Sequence, residues 1–153
     1  MLRKLTQVAV PFIWFGVIGA ISFMEAPLKF QAPGITLPLG LSVGRLIFFV
    51  LNKIEIVLAV IFLISLLGGQ TIGRAAVAIF GVIALVLLIE TVWLLPILDV
   101  RAEEVIAGTA EPFSNLHLFY IAFDAVKFIL LFVLGVLTFM RHAKSGESTG
   151  PKA

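Results

Sequence analysis

Residues 75–95 read AAVAIFGVIALVLLIETVWLL, and this stretch decides the class of fold. Glu90 is its only charged residue. An α-helix rises about 1.5 Å per residue, so about 20 apolar residues cross the hydrocarbon core of a bilayer. The stretch therefore predicts a membrane-spanning helix.

Three further apolar runs of similar length lie at residues 8–24, 46–67 and 116–140. The chain of 153 residues is 61% hydrophobic and only 13% charged, with a mean hydropathy of +1.16. In soluble domains about a quarter of the residues are charged. The first run is longer than the apolar region of a signal peptide, so we interpret it as a retained span. The sequence predicts an all-α fold, a polytopic transmembrane bundle of four helices formed by residues 1–144, with a disordered cytoplasmic tail at residues 145–153.

Several segments and side chains are predicted to lie near the membrane surface. Residues 26–43 are apolar but interrupted by proline and glycine, so we expect them to lie on the outer surface of the bilayer rather than in water. Gly68 and Gly69 are predicted to end the second span, and residues 100–107 to form one or two surface helical turns. The candidates for interface anchors are Trp14, Trp93 and Tyr120.

Lysines and arginines are shared unevenly between the two sides that four spans define. The side that holds both termini has Arg3, Lys4, Arg74, Arg141, Lys144 and Lys152, and the opposite side has Lys29, Arg45 and Arg101. Loops rich in lysine and arginine remain in the cytoplasm. We therefore expect a multi-pass protein of the cell membrane with both termini in the cytoplasm.

Six polar residues inside the predicted spans form a candidate intramembrane site. They are Asn52, Lys53, Glu55, Glu90, Asp124 and Lys127. Counted from the outer helix ends, the charged ones fall within one layer, about 8 to 17 Å deep. Each costs at least about 2.5 kcal/mol near the centre of a span, so an unpaired charge that faces lipid is disfavoured.

Two interpretations of this layer are open. In the first, it faces an outward-open vestibule and binds or conducts a small ion, a proton or a polar solute. In the second, interhelical ion pairs fix the packing of the helices, and the protein is a structural or assembly subunit that contacts a membrane partner. The predicted pairs are Glu90 with Lys53 and Asp124 with Lys127. Three acids then face two lysines, so one carboxylate is left over unless it is protonated or meets another polar group or a bound cation.

Other classes of function lack the residues that they need. The chain has no cysteine, and His117 lies about 10 Å from Asp124 along one predicted helix, so we expect no metal site. Ser114 lies on the same helix, which prevents a catalytic triad. We expect no enzyme activity, no cofactor and no nucleic-acid partner. The expected partners are the lipid bilayer and either a second copy of the chain or another membrane protein.

Three short stretches resemble a known family. Residues 23–30 read FMEAPLKF, residues 40–48 read GLSVGRLIF and residues 115–117 read NLH. They are similar to the elements that follow the first helix, open the second and open the last in DUF4149 or TMEM205-like proteins. The resemblance extends loosely from Phe12 to Leu131, and the lysine-bearing, acidic second helix departs from the family pattern. It implies four spans and a membrane location, but no established activity.

Overall fold

The computed structural model describes residues 2–67, 72–111 and 115–147, and within these ranges it is helical and contains no strand. The four long helices are α1 (Leu2–Gln31), α2 (Leu37–Leu66), α3 (Arg74–Ile106) and α4 (Asn115–Glu147). All four are long and apolar enough to cross a membrane. The predicted all-α bundle of four membrane-spanning helices is therefore confirmed.

The two ends of the bundle differ in what they contain. Gln7 of α1 contacts Ser65 near the end of α2 and His142 near the end of α4, so the start of α1 and the last turns of α4 lie together. We call this the termini end. The opposite end, where α1 leads into α2 and α3 into α4, contains a cavity, and we call it the cavity end. Arg45 of α2 and Asp99 of α3 meet there.

The helices extend beyond the predicted spans, most of all at residues 26–43. α1 continues to Gln31 and α2 begins at Leu37, so most of this segment is helical and only a short connection is not; its position on the membrane surface stays a prediction. The side chain of Thr36 accepts a hydrogen bond from the N–H of Leu39, and Pro38 suits the first turn of α2 because that turn leaves its N–H groups unbonded.

The other predicted boundaries fall partly outside the described residues. The predicted stop at Gly68 and Gly69 lies outside them, as do residues 148–153 of the predicted tail. α2 ends at Leu66, and α4 continues to Glu147, into the segment predicted as disordered. The surface turns predicted at residues 100–107 are the continuation of α3.

Two helices widen just before a proline. α1 forms a π-helical turn over Gly19–Glu25 and α3 forms one over Glu90–Leu94, and in both a proline follows two residues later. Proline lacks an N–H and its ring crowds the carbonyl group four residues earlier, so the preceding turn opens. The N–H of Leu95 accordingly donates to the oxygen of Glu90, five residues back. The π-helical turn in α3 thus begins at a residue of the predicted site.

Two of the three stretches that resemble the known family, residues 23–30 and 40–48, pack on each other. A Cβ atom on Gly40 would clash with the ring of Phe30, and one on Gly44 would lie 3.0 Å from Nζ of Lys29. Because neither glycine has a side chain, Lys29 and Phe30 at the end of α1 lie directly against α2. The two sequence elements therefore form one contact at the cavity end.

The apolar core lies between the middle of the bundle and the termini end. α4 packs against α1 and α3, and α1 also packs against α2. The rings of Phe15 and Phe128 are stacked at 4.0 Å, and Gly135 accommodates the ring of Phe12, so α1 and α4 approach closely. The buried residues at the centre of this core include Trp14, Ile18, Phe62, Ile83, Leu131 and Leu134.

Candidate functional site

Four charged side chains of the predicted site converge inside the bundle. Glu55 comes from α2, Glu90 from α3, and Asp124 and Lys127 from α4, and we call this group the Lys127 cluster. Asp124 and Lys127 are three residues apart and therefore project from one face of α4. Each of the four residues is at most 1% exposed. The structure thus brings four of the six predicted site residues into contact with one another.

The ammonium group of Lys127 is the centre of the cluster. Its Nζ lies 2.7 Å from Oε1 of Glu55 and 2.9 Å from Oδ1 of Asp124, and it forms a third ion pair with Oε2 of Glu90. The indole N–H of Trp14 in α1 donates to Oε1 of Glu55 at 2.8 Å. One ammonium group and one indole therefore connect all four helices.

The cluster contains more acid than base. Three carboxyl groups surround one ammonium group, so full ionisation would leave two uncompensated negative charges in the interior. Both Glu90 and Asp124 form ion pairs with Lys127. Among the described residues, however, none donates a well-aligned hydrogen bond to their carboxylate oxygens. An uncompensated buried charge costs several kcal/mol. The surplus charge has to be neutralised, and protons or a cation are the available means.

The carboxyl oxygens also form a compact donor set. One oxygen each from Glu55, Glu90 and Asp124 lies within 4.8 Å of the others. Carboxylate oxygens are the ligands that hard cations such as Ca²⁺ and Mg²⁺ prefer. The ammonium group of Lys127 contacts all three carboxylates, so it takes the place of a bound cation. A metal ion could be held by these residues only if Lys127 moved away.

Lys53 does not belong to the cluster, and its predicted pairing with Glu90 is wrong. Lys53 is exposed, and its Nζ lies 5.0 Å from the centre of the Phe49 ring. Residues two positions apart in the sequence of a helix project about 200° apart around its axis. Lys53 therefore projects away from the face that carries Glu55. Lys127 pairs with Glu90 instead, in addition to its predicted partner Asp124.

Asn52 is buried beside the cluster but bonds to a different group. Its Nδ2 donates to Oγ1 of Thr91 at 2.8 Å, and the hydroxyl of Thr91 donates to the oxygen of Leu87 at 2.7 Å. Asn52 thus links α2 to α3 one turn from Glu55. Thr91 follows Glu90 directly, so this polar pair borders the carboxyl groups.

Trp14 is a site residue that sequence reasoning missed. It was expected as an interface anchor, but it is 1% exposed and bonded to Glu55. Its position in the middle of the first apolar run is the signal that could have placed it deeper. An indole N–H in a dry interior has to find an acceptor, and a buried carboxylate is a strong one.

A cavity of about 880 Å³ opens at the cavity end and extends to residues that neighbour the cluster. Asn52, Thr91 and Tyr120 line it, and each lies within about one helical turn of a carboxyl group of the cluster. Tyr120 precedes Asp124 by four residues on α4 and is only 4% exposed. It therefore faces the interior of the bundle, and its predicted role as an interface anchor is wrong. The mouth of the cavity carries Lys29, Arg45, Asp99, Arg101 and His117.

An apolar layer separates the cluster from the termini end. Phe62, Ile83 and Leu134 lie seven residues from Glu55, Glu90 and Lys127 in the direction of the termini, and all three are at most 1% exposed. Seven residues correspond to about 10 Å along a helix. Polar groups reappear at the termini end, where Gln7 bonds to Ser65 and His142. Within the described residues, the cavity therefore lies on one side of the cluster and the apolar layer on the other.

Comparison of the chain with protein-family models, with curated proteins and with solved structures yields no match. The function is therefore inferred from the geometry of the Lys127 cluster and of the cavity.

Proposed function

We propose that this multi-pass membrane protein binds and releases protons at the Lys127 cluster, which exchanges them with the cavity, and that a small cation or polar solute enters the same cavity. The observation that carries the proposal is the surplus of carboxyl groups around a single buried ammonium group. A group of acids that cannot all be ionised together is the condition for a site that takes up a proton.

The position of the cavity on only one side of the cluster supports a binding site over an open channel. The cavity of about 880 Å³ lies within the range of small-molecule sites, and its lining combines apolar and aromatic side chains with a few polar groups. The apolar layer at Phe62, Ile83 and Leu134 gives no polar path to the other end. Transport would then require a rearrangement of the helices, and the π-helical turn at Glu90–Leu94 is the place where α3 departs from regular geometry.

Infrared difference spectroscopy on the protein in lipid nanodiscs tests proton binding directly. A protonated carboxyl group has a C=O stretching band that a carboxylate lacks. We expect a pH-dependent band in the wild-type protein that is lost or reduced in Glu90→Gln and Asp124→Asn. Glu104→Gln is the matched control, because Glu104 is an exposed acid of α3 outside the cluster.

The proposal fails if the wild-type and both cluster variants give the same pH-dependent spectrum. Proteoliposomes that contain a pH-sensitive dye provide the second readout. Proton movement that depends on Glu90 and Asp124 but not on Glu104 would extend the proposal from binding to transport.

A structural role is the second candidate, and a separate observation favours it. Lys127 and Trp14 connect all four helices through the cluster, so the same contacts hold the bundle together. A purely structural cluster would show no titrating carboxyl band. An assembly subunit would in addition be recovered with a second copy or with a membrane partner in mild detergent.

Membrane placement belongs to the proposal as well. We propose that both termini lie in the cytoplasm of the cell and that the cavity opens outward, on the basis of the six-to-three distribution of lysine and arginine. We also propose membership in the DUF4149 or TMEM205-like family, on the basis of the three resembling stretches of sequence. The chain has no cysteine, so single cysteines introduced at residues 104 and 144 can be labelled from either side without background. Labelling of residue 144 from outside the cell would contradict this orientation.

A further inference from the structure

A second cavity, of about 640 Å³, lies at the termini end between the start of α3 and the last turns of α4. Three cationic side chains line it: Arg74 from α3, and Arg141 and Lys144 from α4. Among the residues that the structure describes, none that lines it is acidic. The cavity therefore concentrates positive charge at one edge of the bundle.

Two of the three cations, Arg74 and Lys144, have no ion-pair partner among the described residues. Gly73, which precedes α3, has φ +94, and a Cβ atom there would lie 3.3 Å from Nη1 of Arg141. The guanidinium group is thus held against the backbone at the wall of the cavity, beside Arg74 in the next position.

The remaining lining suits a group that is partly embedded in a membrane. Leu137 and Met140 form the apolar side of the cavity on α4, four residues and one residue before Arg141. A phosphate group with an attached apolar chain would meet cations at its head and apolar side chains below. Arginine binds phosphate through two parallel N–H donors, and basic pockets between transmembrane helices bind anionic headgroups.

We propose that this cavity binds a phosphate group, either of an anionic lipid headgroup or free in solution. Arg74, Arg141 and Lys144 provide the cationic contacts. The site is separate from the Lys127 cluster, from which it is divided by the apolar layer, and it does not depend on proton binding there.

Native mass spectrometry of the detergent-solubilised protein measures how many phospholipids are retained. The probes are phosphatidylglycerol, which is anionic, phosphatidylcholine, which carries no net charge, and inorganic phosphate. The variants are Arg74→Gln, Lys144→Gln and the double variant. Arg3→Gln is the matched control, because Arg3 is an exposed cation at the same end that does not line the cavity.

We expect phosphatidylglycerol to bind more tightly than phosphatidylcholine, and each single variant to weaken its binding about fivefold, which corresponds to about 1 kcal/mol per cation. The double variant should lose roughly twentyfold, and Arg3→Gln should bind like the wild-type protein. If inorganic phosphate binds and is lost in the same variants while phosphatidylglycerol shows no preference, the site stands with free phosphate as its ligand. Equal binding of all probes, or equal losses in Arg3→Gln and Arg74→Gln, would overturn the proposal.

Discussion

Lys127 and Arg45 each bind more than one carboxylate, but they do so in opposite surroundings. At the mouth of the cavity, Nε of Arg45 lies 2.6 Å from Oδ1 of Asp99, and Nη2 of Arg45 lies 2.6 Å from Oε1 of Glu103. The side chains of Asp99 and Glu103 are 53% and 61% exposed. The side chains of the Lys127 cluster are at most 1% exposed. The same pairing chemistry therefore occurs once in contact with solvent and once without it.

The difference in burial changes what the ion pairs do. At the mouth, water and salt screen the charges, so an exposed pair contributes about 0 to 1 kcal/mol and the acids are free to exchange partners. Inside the bundle, screening is weak and each charge has lost its hydration, so every charge depends on its neighbours. The mouth can attract or orient a solute, whereas the cluster responds to the gain or loss of a single charge.

Lys127→Met is expected to give the largest effect, because it strands three carboxyl groups with no cation. We expect a loss of about 3 to 5 kcal/mol in the free energy of unfolding, measured in detergent by SDS titration. Lys53→Met is the matched control and should change stability by less than about 0.5 kcal/mol, because Lys53 is exposed. Similar losses in both variants would remove the distinction between the two environments.

Trp14→Phe is expected to rank second. It keeps an aromatic ring in the core but removes the donor to Glu55, and a hydrogen bond to a charged group contributes about 1.5 to 3 kcal/mol. The same substitution at Trp93, which is 51% exposed, should have little effect. The unfolding free energies of the two variants test this difference, and a larger loss at Trp93 would contradict the position of Trp14 in the site.

A double-mutant cycle should then identify which lysine is coupled to Glu90. Lys127→Met and Glu90→Gln together should cost about 1 kcal/mol less than the sum of the single losses, because a neutral glutamine does not need a cation. The cycle of Lys53→Met with Glu90→Gln should be additive within about 0.5 kcal/mol. Additive losses in the first cycle would show that Lys127 and Glu90 are not a functional pair.

Among the variants that break a contact of a charged group, Arg45→Gln should give the smallest loss of stability, about 1 kcal/mol or less. The loss should shrink further as the salt concentration rises, since exposed charges are screened within about 10 Å at 0.1 M ionic strength. Unfolding measured at low and high salt tests this expectation. A salt-independent loss as large as that of Lys127→Met would mean that the mouth of the cavity is closed to water.

Several features of the site could be predicted from the sequence alone. An acid or a lysine inside an apolar run is costly in lipid, so Glu55, Glu90, Asp124 and Lys127 had to be paired, and counting residues placed them in one layer. The partners were harder to assign. Lys53 is two residues from Glu55 and about as deep in its span, and depth does not reveal that it faces away from the cluster.

The order of apolar and polar residues by itself determined that the chain forms four membrane-spanning helices with buried charges in a shared layer, because length and hydropathy are read along one dimension. Only the tertiary structure decided that one lysine binds three carboxylates, that Trp14 bonds to Glu55 and that an apolar layer lies between the cluster and the termini end. These contacts depend on the rotation of each helix about its own axis. That rotation depends on the π-helical turns before proline and on close approaches between helices, such as Phe12 against Gly135. The close approaches join residues that are far apart in the sequence.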